Sequence, residues 1–335
     1  MRRLILSILA GCALLVIGIL IYGLFYAVTP PSRQRGSKTV TLEKGLAFRQ
    51  IARILEREGV ITGAPRFVLL GQLLNAGHRV KAGEYCFDLP ASPWRVLRKI
   101  TRGHVKTYRI TIPEGYTLLQ IANLLDSHGV VTKDDFLRET SSSELLSLYD
   151  IDVQDATLEG YLFPDTYAWS KGSDPAAVVQ FFLRRFRQAY TPEMAEKAGS
   201  MGLSEREALT IASIVERETS DPHERPLVSA VIHNRLKKKI PLQSDPTVIY
   251  GTPDFDGNLT REDLRRYTRY NTYLIPGLPP GPICNPGLSS IQAALSPAPV
   301  DYLYFVSKND GTHHFSVTLE EHDKAVDKYQ RRRKK

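Results

Sequence analysis

From Leu4 to Val28 the chain carries no charged residue, and Pro30 and Pro31 follow at once. At about 1.5 Å of rise per residue, a helix of that length crosses a hydrocarbon core of roughly 30 Å. A cleaved secretory signal has an apolar stretch of only about 7 to 15 residues. The run therefore predicts an uncleaved, single-pass transmembrane helix over 4–28. Arg2 and Arg3 precede it, and Arg33, Arg35 and Lys38 follow, so the balance of basic residues does not orient it. A two-residue basic head is easily retained, so residues 1–3 are expected in the cytoplasm and the bulk of the chain outside it, at the cell (inner) membrane.

After the anchor and a polar juxtamembrane linker over 29–38, about 300 residues remain, enough for two or three folded domains. The net charge of +8 looks like a nucleic-acid signal until it is located. Lys328, Arg331, Arg332, Arg333, Lys334 and Lys335 supply most of it, and the rest of the chain is nearly balanced. No basic face with interleaved aromatics emerges, so nucleic acid is not expected as a partner. The tail over 326–335 reads as a solvated, frayed end. An anionic membrane surface would attract it, at about 1 kcal/mol per basic residue. Of the three cysteines, Cys12 lies in the apolar run; Cys86 and Cys284 could pair in an oxidising compartment, but are expected as two buried free thiols.

An internal repeat organises the next stretch. VTLEKGLAFRQIARILEREGVI, from Val40 to Ile61, returns 70 positions later as ITIPEGYTLLQIANLLDSHGVV, from Ile110 to Val131. Each copy predicts a short strand, a Gly turn at Gly45 or Gly115, an amphipathic helix, and a Gly stop at Gly59 or Gly129. AGEYCF (82–87) predicts a further strand, and WRVLRKITRG a short helix ended by Gly103. Both copies resemble LysM-type glycan-binding units, the second more closely through EGYTLLQIA (114–122). That resemblance implies amino-sugar contact, and a plain spacer role stands beside it. The repeated units are placed over 39–157 and a second, mixed α/β domain over 158–325, an α+β chain overall.

Within the second domain the aromatic segment GYLFPDTYAW (160–169) reads first as core. The chemistry is expected on a helix from about Ser204 to Thr219, with Ser204 as N-cap and Glu207 as its capping-box partner. Ala208, Ile211, Ala212 and Val215 fall on one helical face. Glu216 and Glu218 stand roughly 200° apart around the axis, so at most one enters a pocket on that side. Their offsets from the apolar stripe, about 90° and 70°, do not choose between them. A carboxyl at the edge of an apolar face near a helix C-terminus has its pKa raised by desolvation and the macrodipole, as a general acid requires; a surface glutamate at a frayed helix end stands beside that reading.

Five further motifs follow in order: ASIVERET, ERPLVSAVIHNRL, LQSDPTVIYG, YNTYLIPGLPPGPICNPG and DYLYFVSKNDGTHHFS. Together with the anchor and the repeat, they resemble the YceG-like family of endolytic murein transglycosylases over most of the chain. The resemblance implies Glu218, the second glutamate of its motif, as the catalytic acid and base. It implies lyase-type cleavage of the MurNAc–GlcNAc β-1,4 bond, with closure of the MurNAc C6 hydroxyl on C1 to give a 1,6-anhydro end. Cleavage inside nascent strands, ending or trimming them, and partnership with peptidoglycan synthases are likewise implied, in a protein taken as a monomer. Hydrolysis would ordinarily need two carboxylates at a set separation, whereas an internal nucleophile needs one.

Gln243, Ser244, Asp245 and Thr247 are expected as a turn of polar groups facing the cleft, with Tyr250 beside them. Tyr270, Asn271, Thr272 and Tyr273 supply aromatic faces and an amide suited to sugars. The Pro- and Gly-rich loop over 276–287 reads as a rigid cleft wall. Glu224 and Arg225 open a helix ending near Lys239; they are expected to pair or to orient Glu218, and Glu224 reads first as structural. DYLYFVS and THHFSVT predict a hairpin across KNDG. His313 and His314 are adjacent, so on a strand they face opposite ways and cannot chelate together. With no HExxH or paired CxxC, neither metal nor cofactor is expected. Two other functions stand beside the transglycosylase: a hydrolase with Asp245 directing water, and a non-catalytic glycan-binding scaffold for cell-wall synthases.

Overall fold

The computed structural model describes residues 2–31, 35–148, 157–253 and 255–331. The N-terminal run forms one helix, α1 (Arg2–Val28). Its stretch Gly11–Val28 has a mean hydropathy of 2.3 and is almost wholly exposed. By length and composition it is a membrane span, a test that a signal sequence at this position also meets. Backbone packing divides the chain into two compact units, residues 1–108 with 168–172, and residues 109–167 with 173–335.

The first unit contains α1, β1 (Gly36–Leu42), α2 (Phe48–Arg57), α3 (Ala64–Leu73), β2 (Gly83–Leu89) and α4 (Pro93–Arg102). β1 begins three residues before the expected Thr39, taking the end of the linker, whose residues 32–34 lie outside the described set. β1 and β2 pair antiparallel with Val40 opposite Tyr85. Alternation turns Val40 and Leu42 inward, where they meet Ile51, Leu55, Phe67, Tyr85, Phe87 and Ile100. Tyr26, at the end of α1, donates to the carbonyl of Thr62 at 2.8 Å, tying the helix to this core.

The second copy supplies β3 (Tyr108–Thr111), α5 (Leu118–Ser127), α6 (Lys133–Glu139), α7 (Ser143–Leu148) and, beyond the serine-rich stretch, β4 (Thr166–Trp169), which pairs with β3; all but the ends of the two strands belong to the second unit. Residues 149–156 of that stretch lie outside the described set. The repeat holds down to its helix ends. In the first copy Gly59 N–H bonds the Glu56 carbonyl and Val60 N–H the Leu55 carbonyl; in the second, Gly129 bonds Asp126 and Val130 bonds Leu125. Gly59 (φ 68°) and Gly129 (φ 67°) supply the left-handed residue that this helix ending needs. Thr132 caps α6 by accepting from Asp135 N–H.

The remaining elements are α8 (Pro175–Ala189), α9 (Pro192–Ser200), α10 (Glu205–Glu218), α11 (Arg225–Lys237), α12 (Asp245–Gly251), α13 (Arg261–Arg265), α14 (Leu288–Leu295), the hairpin β5 (Tyr304–Ser307) and β6 (His313–Ser316), and α15 (Leu319–Val326). α10 starts with the expected capping box: Ser204 accepts from Glu207 N–H, and Glu207 accepts from Ser204 N–H. Its burial exceeds the expectation. Every residue from Ala208 to Val215 is buried, so α10 is a core helix enclosed on all sides, not an amphipathic one with a single inner face. Tyr161, Phe163 and Tyr167 are core, as read; Tyr161 packs edge-on to Phe186 with centroids 5.2 Å apart. The tail is less frayed than expected, because a π-helical turn, Asp327–Arg331, continues α15; residues 332–335 lie outside the described set.

Packing draws the division between the two copies, near 108, and not at about 158. A buried polar network explains why the second copy joins the later segment. Glu159 accepts from Leu118 N–H at the start of α5 (2.9 and 3.0 Å), from Tyr250 of α12 (3.1 Å) and from Asn285 (2.8 Å). The Asn285 carbonyl oxygen of the side chain accepts from Gly160 and Leu162 N–H, and its backbone pairs with Gly115 and Tyr116. Burial pushes the Glu159 carboxyl up to about 7 against these donors, which favour its ionised form.

Candidate active site

The C-terminal end of α10, beyond its buried stretch, carries the two rival glutamates, and each meets a different environment. Glu216 accepts from Gly287 N–H at 3.0 Å and pairs with the buried Arg225 at 3.3 Å. Arg225 also lies 3.8 Å from Glu114, the glutamate of EGYT, and bonds Ser289. Glu216 is therefore spent on a structural ion pair. Glu218 instead lines a cavity of about 490 Å³ with Arg235, Ser244, Asp245, Tyr273 and His313. The Ser244 hydroxyl donates to Glu218 Oε1 at 2.5 Å.

Burial holds the Glu218 carboxyl at about 7, far above an ordinary glutamate. The Ser244 hydrogen bond opposes that rise, the negative charge of Asp245 adds to it, and the positive fields of His313 and Arg235 oppose it.

Ser244 and Asp245 come from the LQSDPT segment, which is not the expected turn. Ser244 is the extended residue before α12, and Asp245 and Pro246 form that helix's first turn, where proline's missing N–H costs nothing. Gln243 precedes them at φ 53°, a strained left-handed setting for a non-glycine residue. Its side-chain oxygen accepts from Arg235 at 3.2 Å. Tyr273 donates to Asp245 at 2.7 Å, and burial together with that bond pushes its hydroxyl well up.

Arg235 was not legible in the sequence. It is buried on α11, and its guanidinium donates to the carbonyls of Leu303, Pro241 and Leu242 while lying over the Tyr304 ring. It thus binds α11, the segment before α12 and the approach to β5 around one charge. Glu224 and Arg225 do not pair with each other. Glu224 accepts from both the backbone N–H and Nδ1 of His313, at 2.7 and 2.6 Å, and from Thr219 at 3.4 Å. His313 faces the cavity, whereas His314 packs beside the Tyr329 ring, the opposite-face arrangement that alternation requires. Among the described residues no cluster of three or more potential metal ligands forms.

Four of the nine residues expected to bind substrate line the Glu218 cavity: Gln243, Ser244, Asp245 and Tyr273. The other five do not. Thr247 and Thr272 are fully buried, with hydroxyls 2.8 Å apart, and the Thr272 hydroxyl accepts from Ser244 N–H. Asn271, also fully buried, donates to the carbonyls of Leu264 and Arg266 at the end of α13. Tyr250 and Tyr270 stack edge-on at 4.9 Å, and Tyr250 belongs with Glu159 in a separate pocket. The loop over 276–287 is no wall of this cavity either: Ile283 N–H bonds Ser213 and Gly287 N–H bonds Glu216, so it clamps α10 from behind. Cys86 and Cys284 are both free, Cys284 buried and Cys86 half-buried.

A single near-neutral carboxyl in a cavity of hydroxyls, one cation and aromatic rings is the equipment of an acid–base enzyme acting on a polar ligand. The sequence comparisons narrow that class: the chain belongs to the YceG-like family, whose profile matches residues 40–328. A Bacillus subtilis relative named endolytic murein transglycosylase is 32% identical over 88% of this chain and 86% of its own length. A Streptococcus pneumoniae relative of the same name is 29% identical over 86% of this chain, which spans 57% of that longer protein. A crystal structure of a YceG-like protein from Listeria monocytogenes aligns with a TM-score of 0.60 at 33% identity, covering 87% of this chain and all of that one.

Proposed function

We propose that the chain is a membrane-anchored lytic transglycosylase that cleaves the MurNAc–GlcNAc bond of peptidoglycan endolytically, with Glu218 as its acid and base. The observation that carries this reading is the Glu218 carboxyl, held at about 7 by burial at the wall of the cavity. Ser244 donates to Oε1, which leaves Oε2 to carry the proton. That proton passes to the glycosidic oxygen as its bond to C1 breaks, with the bonding pair going to oxygen. The MurNAc C6 oxygen bonds C1, its proton passes to the Glu218 carboxylate, and a 1,6-anhydro end forms without water. Holding that hydroxyl beside C1 supplies the advantage of an intramolecular reaction, where effective molarities reach about 10⁵ M or more.

Asp245 supports a second reading, because it lines the same cavity and could direct water to C1. Mass spectrometry of the products released from purified sacculi by the detergent-solubilised chain separates the two. Anhydro-muropeptides support the first, reducing ends sink it in favour of the second, and no release at all removes both. In the membrane, α1 would hold the cavity outside the cytoplasm near nascent strands, and the strand–helix–helix–strand order of the first unit suits a LysM-like glycan contact.

A further inference from the structure

Beyond Glu218, one side chain in the cavity is held in a way that structural packing does not require. His313 is fixed twice by Glu224: its backbone N–H and its ring Nδ1 both donate to that carboxylate, at 2.7 and 2.6 Å. The backbone bond alone pins β6 to the start of α11. The second bond sets the ring instead, because a carboxylate on Nδ1 fixes both tautomer and orientation. The same Glu224 accepts from Thr219, the residue that follows Glu218, so one carboxylate registers the ring against the end of α10. Phe305 closes on the ring edge-on, with centroids 5.5 Å apart. Nδ1 is engaged, Nε2 makes no hydrogen bond among the described residues, and the ring lines the cavity that Glu218 lines.

We propose that His313 is a further catalytic residue: its Nε2, presented by Glu224, hydrogen-bonds the amino-sugar ring whose bond Glu218 cleaves. This rests on the reading of the site as a glycan-cleaving one.

Two substitutions divide the ring's two nitrogens. His313→Asn places an amide where Nδ1 stood and keeps a donor for Glu224; His313→Gln reaches toward the Nε2 position and gives that donor up. The measurements are Tm and the initial rate of muropeptide release by the detergent-solubilised full chain. Two opposite orders are expected: Asn the more stable variant, and Gln the more active by about tenfold or more, one hydrogen bond's worth. A structural role ranks both properties alike, so activity in the Asn variant equal to or above that of Gln overturns the proposal, at any absolute level. Wild-type protein that releases nothing overturns the underlying function; wild-type cleavage with the wrong order overturns only the role of His313.

Discussion

Glu218 and Glu216 differ by two positions, yet one is an ion-pair partner and the other a carboxyl held near neutrality. Glu218→Gln is expected to lower muropeptide release by about 10²–10⁴-fold, the range of a lost general acid. Glu216→Gln removes a buried ion pair instead, so it should lower Tm before it lowers turnover. Because the folded Glu218 binds its proton more tightly than an unfolded glutamate, the native state holds more protons between the ordinary glutamate range and about 7. Stability is lost as pH rises through that window. The Tm of Glu218→Gln should therefore exceed that of the wild type at pH 8, with the gap shrinking toward pH 5; a gap that widens on acidification would refute the assignment. Ser244→Ala removes a bond that lowers the Glu218 value, so the alkaline limb of the cleavage rate should move to higher pH.

At the scale of elements, α12 joins the two glutamates whose carboxyls are held near 7, Glu159 and Glu218. Its first turn supplies Ser244 and Asp245 to the cavity, and Tyr250 near its end donates to Glu159. Both Glu159 oxygens accept, so Glu159→Leu strips the acceptors from Leu118 N–H, the Tyr250 hydroxyl and the Asn285 amide. A buried donor left unpaired costs about 1–3 kcal/mol. Chemical denaturation should show that loss, and activity should fall further than stability explains, because α12 then loses one of its anchors. Full activity with an unchanged midpoint would show that Glu159 anchors nothing. The repeat was legible down to the glycines that end α2 and α5, since a left-handed residue after a helix is written in local sequence. That Glu159 and Asn285 would close on each other was not, because 126 positions separate them.

For the molecule as a whole, the N-terminal helix separates a membrane protein from a soluble one. If α1 spans the bilayer, the chain should stay with membranes through high salt and alkaline carbonate and leave only in detergent; salt release would point to surface attraction through the basic tail. The two compact units are not the two domains that the linear pattern suggested, because composition marks where polar stretches fall and not which copy of a repeat a later segment encloses.

Local sequence settled what depends on neighbours in the chain. It set the apolar run of α1, the capping box of α10, the hairpin of β5 and β6, the strand–turn–helix repeat, and the short list that contained Glu218. Only the tertiary structure decided which carboxyl faces the cavity, since a helix buried on all sides has no single inner face for a helical wheel to find. It also left Thr247, Tyr250, Tyr270, Asn271 and Thr272 outside the Glu218 cavity and set Arg235 and His313 in its wall. Those assignments turn on hydrogen bonds and fields between residues far apart in the chain, and burial, which gives Glu218 its near-neutral proton, is a property of the packed fold.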